Sequence, residues 1–275
     1  MNRLSSSMIT IKVILILCIL LFLMSTQTKA QDLDRGLQAL QQNDFEIALK
    51  ELAPLADKGN ADAQFIIGNM YRYGDGVSQS YESAVKWFTK AAKQGHAEAK
   101  NNLGVSYHYG EGVPQNYSQA VKWYAKAAEQ GDAYAQNSLA NMYISGLGVG
   151  KNYSRGAEWF KKAADQGDAD AQVNLGFLYN SGMGVKQSYS NGVKWFRKAA
   201  EQGHAEAQFN LGTMYTEGIG VEKNFVQGAM WYKLAAAHGH SVADDALTIL
   251  SNHMKSSQLT EANNLAREWL RQHEK

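Results

Sequence analysis

The chain has 275 residues, with 27 lysines and arginines against 26 acidic residues, one cysteine, two prolines and 25 glycines. A formal net charge of +1 lacks the basic excess expected of a nucleic-acid binder. The single cysteine, Cys18, excludes an internal disulfide framework, and a chain of this length buries enough core to fold without one.

Residues 1–30 read as a separate object. Arg3 and Lys12 precede an apolar run from Val13 to Met24, and a polar stretch then ends in Thr28-Lys29-Ala30. A basic start, a short apolar run and a small residue at the end predict a secretory signal cleaved near Ala30, hence a periplasmic or secreted protein. The run falls short of the roughly 20 residues that span a bilayer, so membrane attachment is expected only through an uncleaved signal lengthened by Ile9 and Ile11. Cys18 lies inside the apolar run rather than at its end, which argues against lipidation. Cleavage removes Arg3, Lys12 and Lys29, taking the bases from 27 to 24 against 26 acids, a net charge of −2.

Residues 31–59 are predicted to be N-terminal capping helices. A short helix bears Leu33, Leu37 and Leu40; a second bears Phe45, Ala48, Leu52, Leu55 and Ala56 and ends at Gly59. Five units of 36 residues follow without insertion or deletion: 60–95, 96–131, 132–167, 168–203 and 204–239. Trp87, Trp123, Trp159, Trp195 and Trp231 are one position seen five times, and so are Tyr71, Tyr107, Tyr143, Tyr179 and Tyr215. A period of this size indicates stacked supersecondary units.

The second unit shows how each folds. Ala99, Leu103 and Tyr107 form one stripe of a helix from Ala97 to Tyr109. Gly110-Glu111-Gly112-Val113-Pro114 ends it, because the glycines admit positive φ and Pro114 blocks continuation. A second helix follows from Tyr117 to Glu129, with Tyr117, Ala120, Val121, Tyr124, Ala127 and Ala128 on one face. Gly131 stands where a left-handed residue terminates it. Gly104, Ala120 and Ala127 are expected to let the helices approach closely, with Tyr107, Trp123 and Tyr124 filling the gaps between neighbouring hairpins. Ala140 replaces the first-helix glycine in the third unit, and Gly156, Gly192 and Gly228 replace the second-helix alanine later.

Residues 240–275 are predicted to be C-terminal capping helices. Ala243 and Leu247 keep the frame, but the Gly-x-Gly loop is lost. Leu259, Ala262, Ala266, Trp269 and Leu270 then form one amphipathic face, capped near Ser256 or Ser257. Atypical end units of this kind keep a solenoid soluble.

The fourth unit carries Ala-x-Ala-Gln-x-x-Leu-Gly-x-x-Tyr-x-x-Gly-x-Gly-Val from Ala169 to Val185, and it closes with Trp-Phe-x-Lys-Ala-Ala-x-Gln-Gly up to Gly203. This string resembles the SEL-like repeat (SLR), a longer cousin of the tetratricopeptide repeat, over essentially the whole mature chain. The resemblance implies an all-α fold, a right-handed superhelical solenoid of antiparallel helix hairpins. It also implies an adaptor rather than an enzyme. Some secreted relatives have been described as β-lactamases, but those carry a disulfide in each repeat and this chain has none.

The register locates a candidate binding face. On the specimen's first helix Glu98, Asn101, Val105, His108 and Tyr109 lie opposite the core stripe. By resemblance to tetratricopeptide proteins that face lines the concave groove. Its columns change from unit to unit: Phe65, Asn101, Asn137, Val173, Phe209; then Asn69, Val105, Asn141, Phe177, Thr213. The next two run Arg72, His108, Ile144, Asn180, Thr216 and Tyr73, Tyr109, Ser145, Ser181, Glu217. With Tyr134, the residues taken as partner-binding are Phe65, Asn69, Arg72, Tyr73, Asn101, Val105, His108, Tyr109, Asn137, Asn141, Ile144, Val173, Phe177, Asn180, Phe209, Thr213 and Glu217. Aromatics on a helical face suit a peptide or protein partner.

Other motifs fail on context. The Gly-x-Gly pairs (Gly110/Gly112, Gly218/Gly220) follow a helix, not a strand, which argues against a nucleotide. His96-Ala97-Glu98 and His204-Ala205-Glu206 mimic a deaminase H-x-E without the Cys-x-x-Cys that completes a zinc site. His238 and His240 flank Gly239 in a surface turn. Asn116 and Asn152 begin sequons that follow from the repeat itself. Second-helix lysines such as Lys86/Lys90 and Lys122/Lys126 form a basic outer stripe. No cofactor, metal or catalytic residue is expected. The reading is an exported, monomeric protein-interaction scaffold, with an envelope or host-interaction factor as the alternative and a β-lactamase-like hydrolase behind it.

Overall fold

A computed structural model describes residues 32–273; the expected signal segment, 1–30, lies outside the described residues. Those residues are helical throughout, with no strand among them, and divide into two compact units between Gln115 and Asn116. The first unit holds α1 (residues 32–41), α2 (Phe45–Asp57), α3 (Ala61–Tyr73), α4 (Tyr81–Lys93) and α5 (Ala97–Tyr109). The second holds α6 (Tyr117–Ala128), α7 (Ala133–Ser145), α8 (Tyr153–Asp165), α9 (Ala169–Ser181), α10 (Tyr189–Glu201), α11 (Ala205–Glu217), α12 (Phe225–Ala237), α13 (Ala243–Ser251) and α14 (Ser256–His273). Within each unit consecutive helices pack as antiparallel hairpins, and α14 folds back onto α12. The helical-hairpin solenoid architecture expected from the period is therefore what these residues form.

The helix ends follow from side-chain chemistry. Asn60, Asp132 and Asp168 accept the N–H of Ala63, Ala135 and Ala171 at 2.7–2.8 Å, and Ser80, Asn152 and Ser188 cap the second helices in the same way. Such a cap satisfies one of the orphan donors of a helix start and contributes about 1 kcal/mol. Gly74, Gly110, Gly146, Gly182 and Gly218 all take left-handed φ at the end of a first helix, as read from the sequence.

The second glycine of each loop has a role that the sequence did not disclose. A Cβ on Gly112 would lie 2.4 Å from the Tyr81 carbonyl carbon, and one on Gly148 would lie 2.3 Å from that of Tyr117. Gly184 and Gly220 press in the same way on Tyr153 and Tyr189. Each loop is thus seated on the start of the preceding hairpin's second helix, and only a residue without a side chain fits there.

A second tie is a set of buried glutamines. Gln64 donates Nε2 to Ala56 O at 2.9 Å and accepts from Gln94 Nε2 at 2.8 Å. In the second unit Gln136 and Gln172 repeat this with Ala128 O and Gln166, and with Ala164 O and Gln202. Gln208 does so with Ala200 O, its other partner being His238 Nδ1 at 2.8 Å. The second repeat carries Lys100 at this position. Each glutamine joins the end of one second helix to a first helix and to the end of the next second helix.

The core corrects two expectations. The fully buried aromatic column is Phe88, Tyr124, Phe160 and Phe196, not the tryptophans. Trp87, Trp123 and Trp159 are half-buried with Lys90, Lys126 and Lys162 held over their rings at 3.6–4.4 Å; Trp195 and Trp231 alone enter the core. The first-helix glycines admit rings rather than backbone: a Cβ on Gly68 or Gly176 would meet Phe88 or Phe196 at 2.6–2.9 Å. The close backbone approach is made by the second-helix glycines, Gly192 against Gly176 O and Gly228 against Gly212 O.

Helices close both ends of the array. Leu33 and Leu40 of α1 pack beside Ala39, Ala48 and Leu52, while Leu37 faces outward. On α14, Ala262 and Ala266 are buried and Trp269 and Leu270 pack on the last repeat. The α14 start differs in detail: the Lys255 N–H is capped by Gln258 Oε1 at 2.8 Å, and Ser256 is already helical. Among the described residues no helix is long and apolar enough to cross a membrane.

Candidate interaction surface

Each first helix of the five repeats carries one stripe that its hairpin partner covers only in part. On α3 this runs Asp62, Phe65, Ile66, Asn69, Arg72, Tyr73, and on α5 Glu98, Asn101, Asn102, Val105, His108, Tyr109, all half-buried or exposed. In the second unit the stripes hold Tyr134, Asn137, Asn141 and Ile144 on α7, Phe177 and Asn180 on α9, and Phe209, Thr213 and Glu217 on α11. Neighbouring positions Ile66, Asn102, Asn174 and Asn210 share the face and were missed. Each stands three residues before a stripe member, Asn69, Val105, Phe177 or Thr213, and so shares its side of the helix.

The predicted residues separate by exposure. Tyr73, Tyr109 and Tyr134 are 64–72% exposed, Phe177 is 39% exposed with its ring edge-on to Phe196 at 5.1 Å, and Glu217 is exposed at the end of α11. Phe65 instead stacks on His96 at 4.5 Å and leans on Phe88, while Phe209 stacks on His240 at 4.2 Å and leans on Tyr232. Those two rings brace the stack as well as line the face. Val173 does not belong to the surface: it is 5% exposed, clustered with Val193 and Phe196. Its column points toward the second helix of the hairpin, and a valine is small enough to be covered where a phenylalanine protrudes. Ile144 is likewise half-buried, its Cδ1 filling the space over Gly156.

The polar members are tied locally. Asn102 Nδ2 donates to Asn69 Oδ1 at 3.0 Å, joining α5 to α3, and Asn141 Nδ2 donates to Asn137 O at 3.1 Å. Thr213 Oγ1 meets Tyr232 Oη at 3.0 Å. The Oδ1 atoms of Asn101 and Asn180 are buried without a hydrogen-bond partner. Arg72 bridges to Glu111 at 3.0 Å and sits over the Tyr73 ring. His108 stacks on Tyr109 at 4.5 Å, and burial pulls its imidazole below the ordinary range. Glu217 borders an open cleft of about 420 Å³ with Lys223, Phe225, Ile249 and His253.

The motifs set aside on sequence find structural employment. His96 and His204 are N-caps whose Nδ1 accepts the N–H of Ala99 and Ala207 at 3.3–3.4 Å, which requires the proton on Nε2. In His204 that nitrogen faces Asp170 Oδ1 at 3.0 Å. Burial, aided by Asp170, pushes the capping carboxyl of Asp168 above its ordinary range, against the opposing Ala171 N–H and His204. His238 is committed to Gln208, and His240 to Phe209. The Gly-x-Gly loops are seated on neighbouring helices.

A model of the Sel1 repeat matches residues 61–96, 97–132, 133–168, 169–204 and 205–240. Among solved structures, the chain is 34% identical to a Sel1 repeat protein from Oxalobacter formigenes with a TM-score of 0.74, over 89% of this chain and 97% of that one. It is 33% identical to a protective antigen of uropathogenic Escherichia coli displaying an SLR fold, with a TM-score of 0.78, over 89% of this chain. The chain spans 54% of that antigen's length. No curated protein matches.

Proposed function

Because the chain belongs to the Sel1 repeat family, whose members generally mediate protein–protein interaction, we propose that it is an exported, non-catalytic scaffold that holds a protein or peptide partner on its first-helix stripes. The observation carrying this reading is the contrast within each hairpin. Core and loop positions recur, and the buried glutamine recurs in all repeats but the second, while the stripe changes chemistry from repeat to repeat and leaves Tyr73, Tyr109 and Tyr134 mostly exposed. Exposed aromatics on a rigid helical face are the usual anchors of an interface. Sel1 scaffolds are generally non-catalytic, and robust nitrocefin turnover by the purified protein would overturn that part of the reading.

Crosslinking and affinity capture from periplasmic and medium fractions provide the test. Tyr73→Ala/Tyr109→Ala and Tyr134→Ala/Phe177→Ala are expected to lose the captured partner while keeping helicity. Capture unchanged by both pairs would sink the proposal. Export rests on the sequence of residues 1–30, and intact-mass measurement of the product is expected to place its N-terminus just after Ala30. Identity to the protective antigen favours a second reading, an envelope or secreted host-interaction factor. Recovery of the same partner from bacterial cells alone argues against it.

A further inference from the structure

Charge is divided between the two helices of each hairpin. In the second unit the charged residues on the first-helix stripes are Asp170, Glu206 and Glu217, with no lysine or arginine among them. In the first unit they are Asp62, Glu98 and Arg72, whose guanidinium is engaged by Glu111 at 3.0 Å. The lysines lie elsewhere: Lys86, Lys90 and Lys93 are exposed on the face of α4 turned away from its buried Ala84 and Phe88, and Lys194 and Lys198 take the equivalent face of α10.

The helix dipole accounts for part of this pattern, since Asp62, Glu98, Asp170 and Glu206 stand in first turns where acids are favoured. It does not account for the other end. Last turns favour bases, yet those of α7, α9 and α11 carry none, and α11 ends on Glu217. The same stripes carry the exposed rings of Tyr134 and Phe177, and aromatic faces attract ammonium and guanidinium groups. We infer that the partner held on the stripes is a basic segment, a peptide whose lysines or arginines meet this acidic, aromatic face. The inference rests on the interaction surface proposed above and adds its charge. The opposite field would repel an acidic peptide and slow its encounter.

Selection of random twelve-residue peptides displayed on phage against the purified protein tests it. Enriched peptides are expected to carry net positive charge with aromatic residues. A synthetic one should bind about five- to tenfold more weakly to Asp170→Asn/Glu206→Gln/Glu217→Gln, and equally to Lys194→Gln/Lys198→Gln. Enriched peptides that are neutral or acidic, yet lost with Tyr134→Ala/Phe177→Ala, overturn the charge inference and leave the surface standing. No enrichment, or enrichment indifferent to every stripe variant, overturns both.

Discussion

Replacing Gly148 by alanine separates two physical costs that glycine hides. Gly148 has φ +69°, and a Cβ there would lie 2.3 Å from Tyr117 C, 2.4 Å from its O and 2.6 Å from Ser118 N. These are backbone atoms at a helix start, which cannot rotate aside as a side chain can. Holding an L-residue in the left-handed region costs about 1–2 kcal/mol. Forcing a methyl into a filled site adds about 1–3 kcal/mol, so Gly148→Ala should destabilise by about 2–5 kcal/mol. Gly131 is the control, because it has φ +99° with nothing within 4 Å of its would-be Cβ. Gly131→Ala should therefore carry only the conformational cost, about 1–2 kcal/mol. Urea denaturation followed by circular dichroism reads both, and each kcal/mol lowers the melting temperature by roughly 2–4 °C in a chain of this size. Equal effects, within about 0.5 kcal/mol, would refute the seating of the loop on Tyr117.

Three further outcomes follow from the same geometry. Gln172→Ala strips Ala164 O and Gln202 of their buried partner and should cost about 1–3 kcal/mol in urea denaturation, whereas a silent change would show that the ladder contributes nothing. Tyr73→Ala and Tyr109→Ala should each leave stability within about 0.5 kcal/mol, while Phe65→Ala, which removes the stack on His96 and the contact with Phe88, should lose about 2 kcal/mol or more. Asp168→Asn keeps a side-chain acceptor for Ala171 and removes a partly buried charge. Burial raises the folded-state pKa of Asp168, so the folded state binds the proton more tightly and this group's contribution falls as pH rises through the carboxylate range. Thermal melts should accordingly show Asp168→Asn gaining most near neutral pH and its advantage shrinking below the unfolded carboxylate pKa; a gain that grows in acid contradicts the sign.

Much of this fold was legible because each signal was local. The helix predicted over Ala97–Tyr109 is α5, and the one begun at Tyr117 ends one residue earlier than read, at Ala128. Glycine, proline and capping residues act within a few positions of themselves, so a single repeat displays them. The glutamine ladder was not legible, since only stacking buries Gln172 and brings it to Gln202 at the end of α10. The second loop glycine was hidden for the same reason: its partner, Tyr117 for Gly148, belongs to the previous repeat. On the candidate surface the register picks out a helix face but cannot grade its members by exposure. Val173 and Tyr134 look equivalent by angle, yet one is covered by the neighbouring second helix and the other stands in solvent.

The structural ties explain why the stripe is free to vary. A hairpin is locked to its neighbour by a glutamine hydrogen-bonded to a backbone carbonyl and a loop glycine against backbone atoms, and is closed on itself by a ring in the space left by its first-helix glycine. None of these uses the exposed tyrosines or the stripe acids, so exchanging Tyr109 for serine at 145 or glutamate at 217 leaves the stacking machinery untouched. Phe65, Phe209 and Asp170 are exceptions, since Phe65 and Phe209 stack at 4.2–4.5 Å on a histidine just beyond their own repeat, and Asp170 faces His204 of the next repeat at 3.0 Å. Partner specificity should therefore be exchangeable through the exposed tyrosines and through Glu206 and Glu217 at little cost in stability, whereas changes at the two phenylalanines and at Asp170 couple binding to the integrity of the stack.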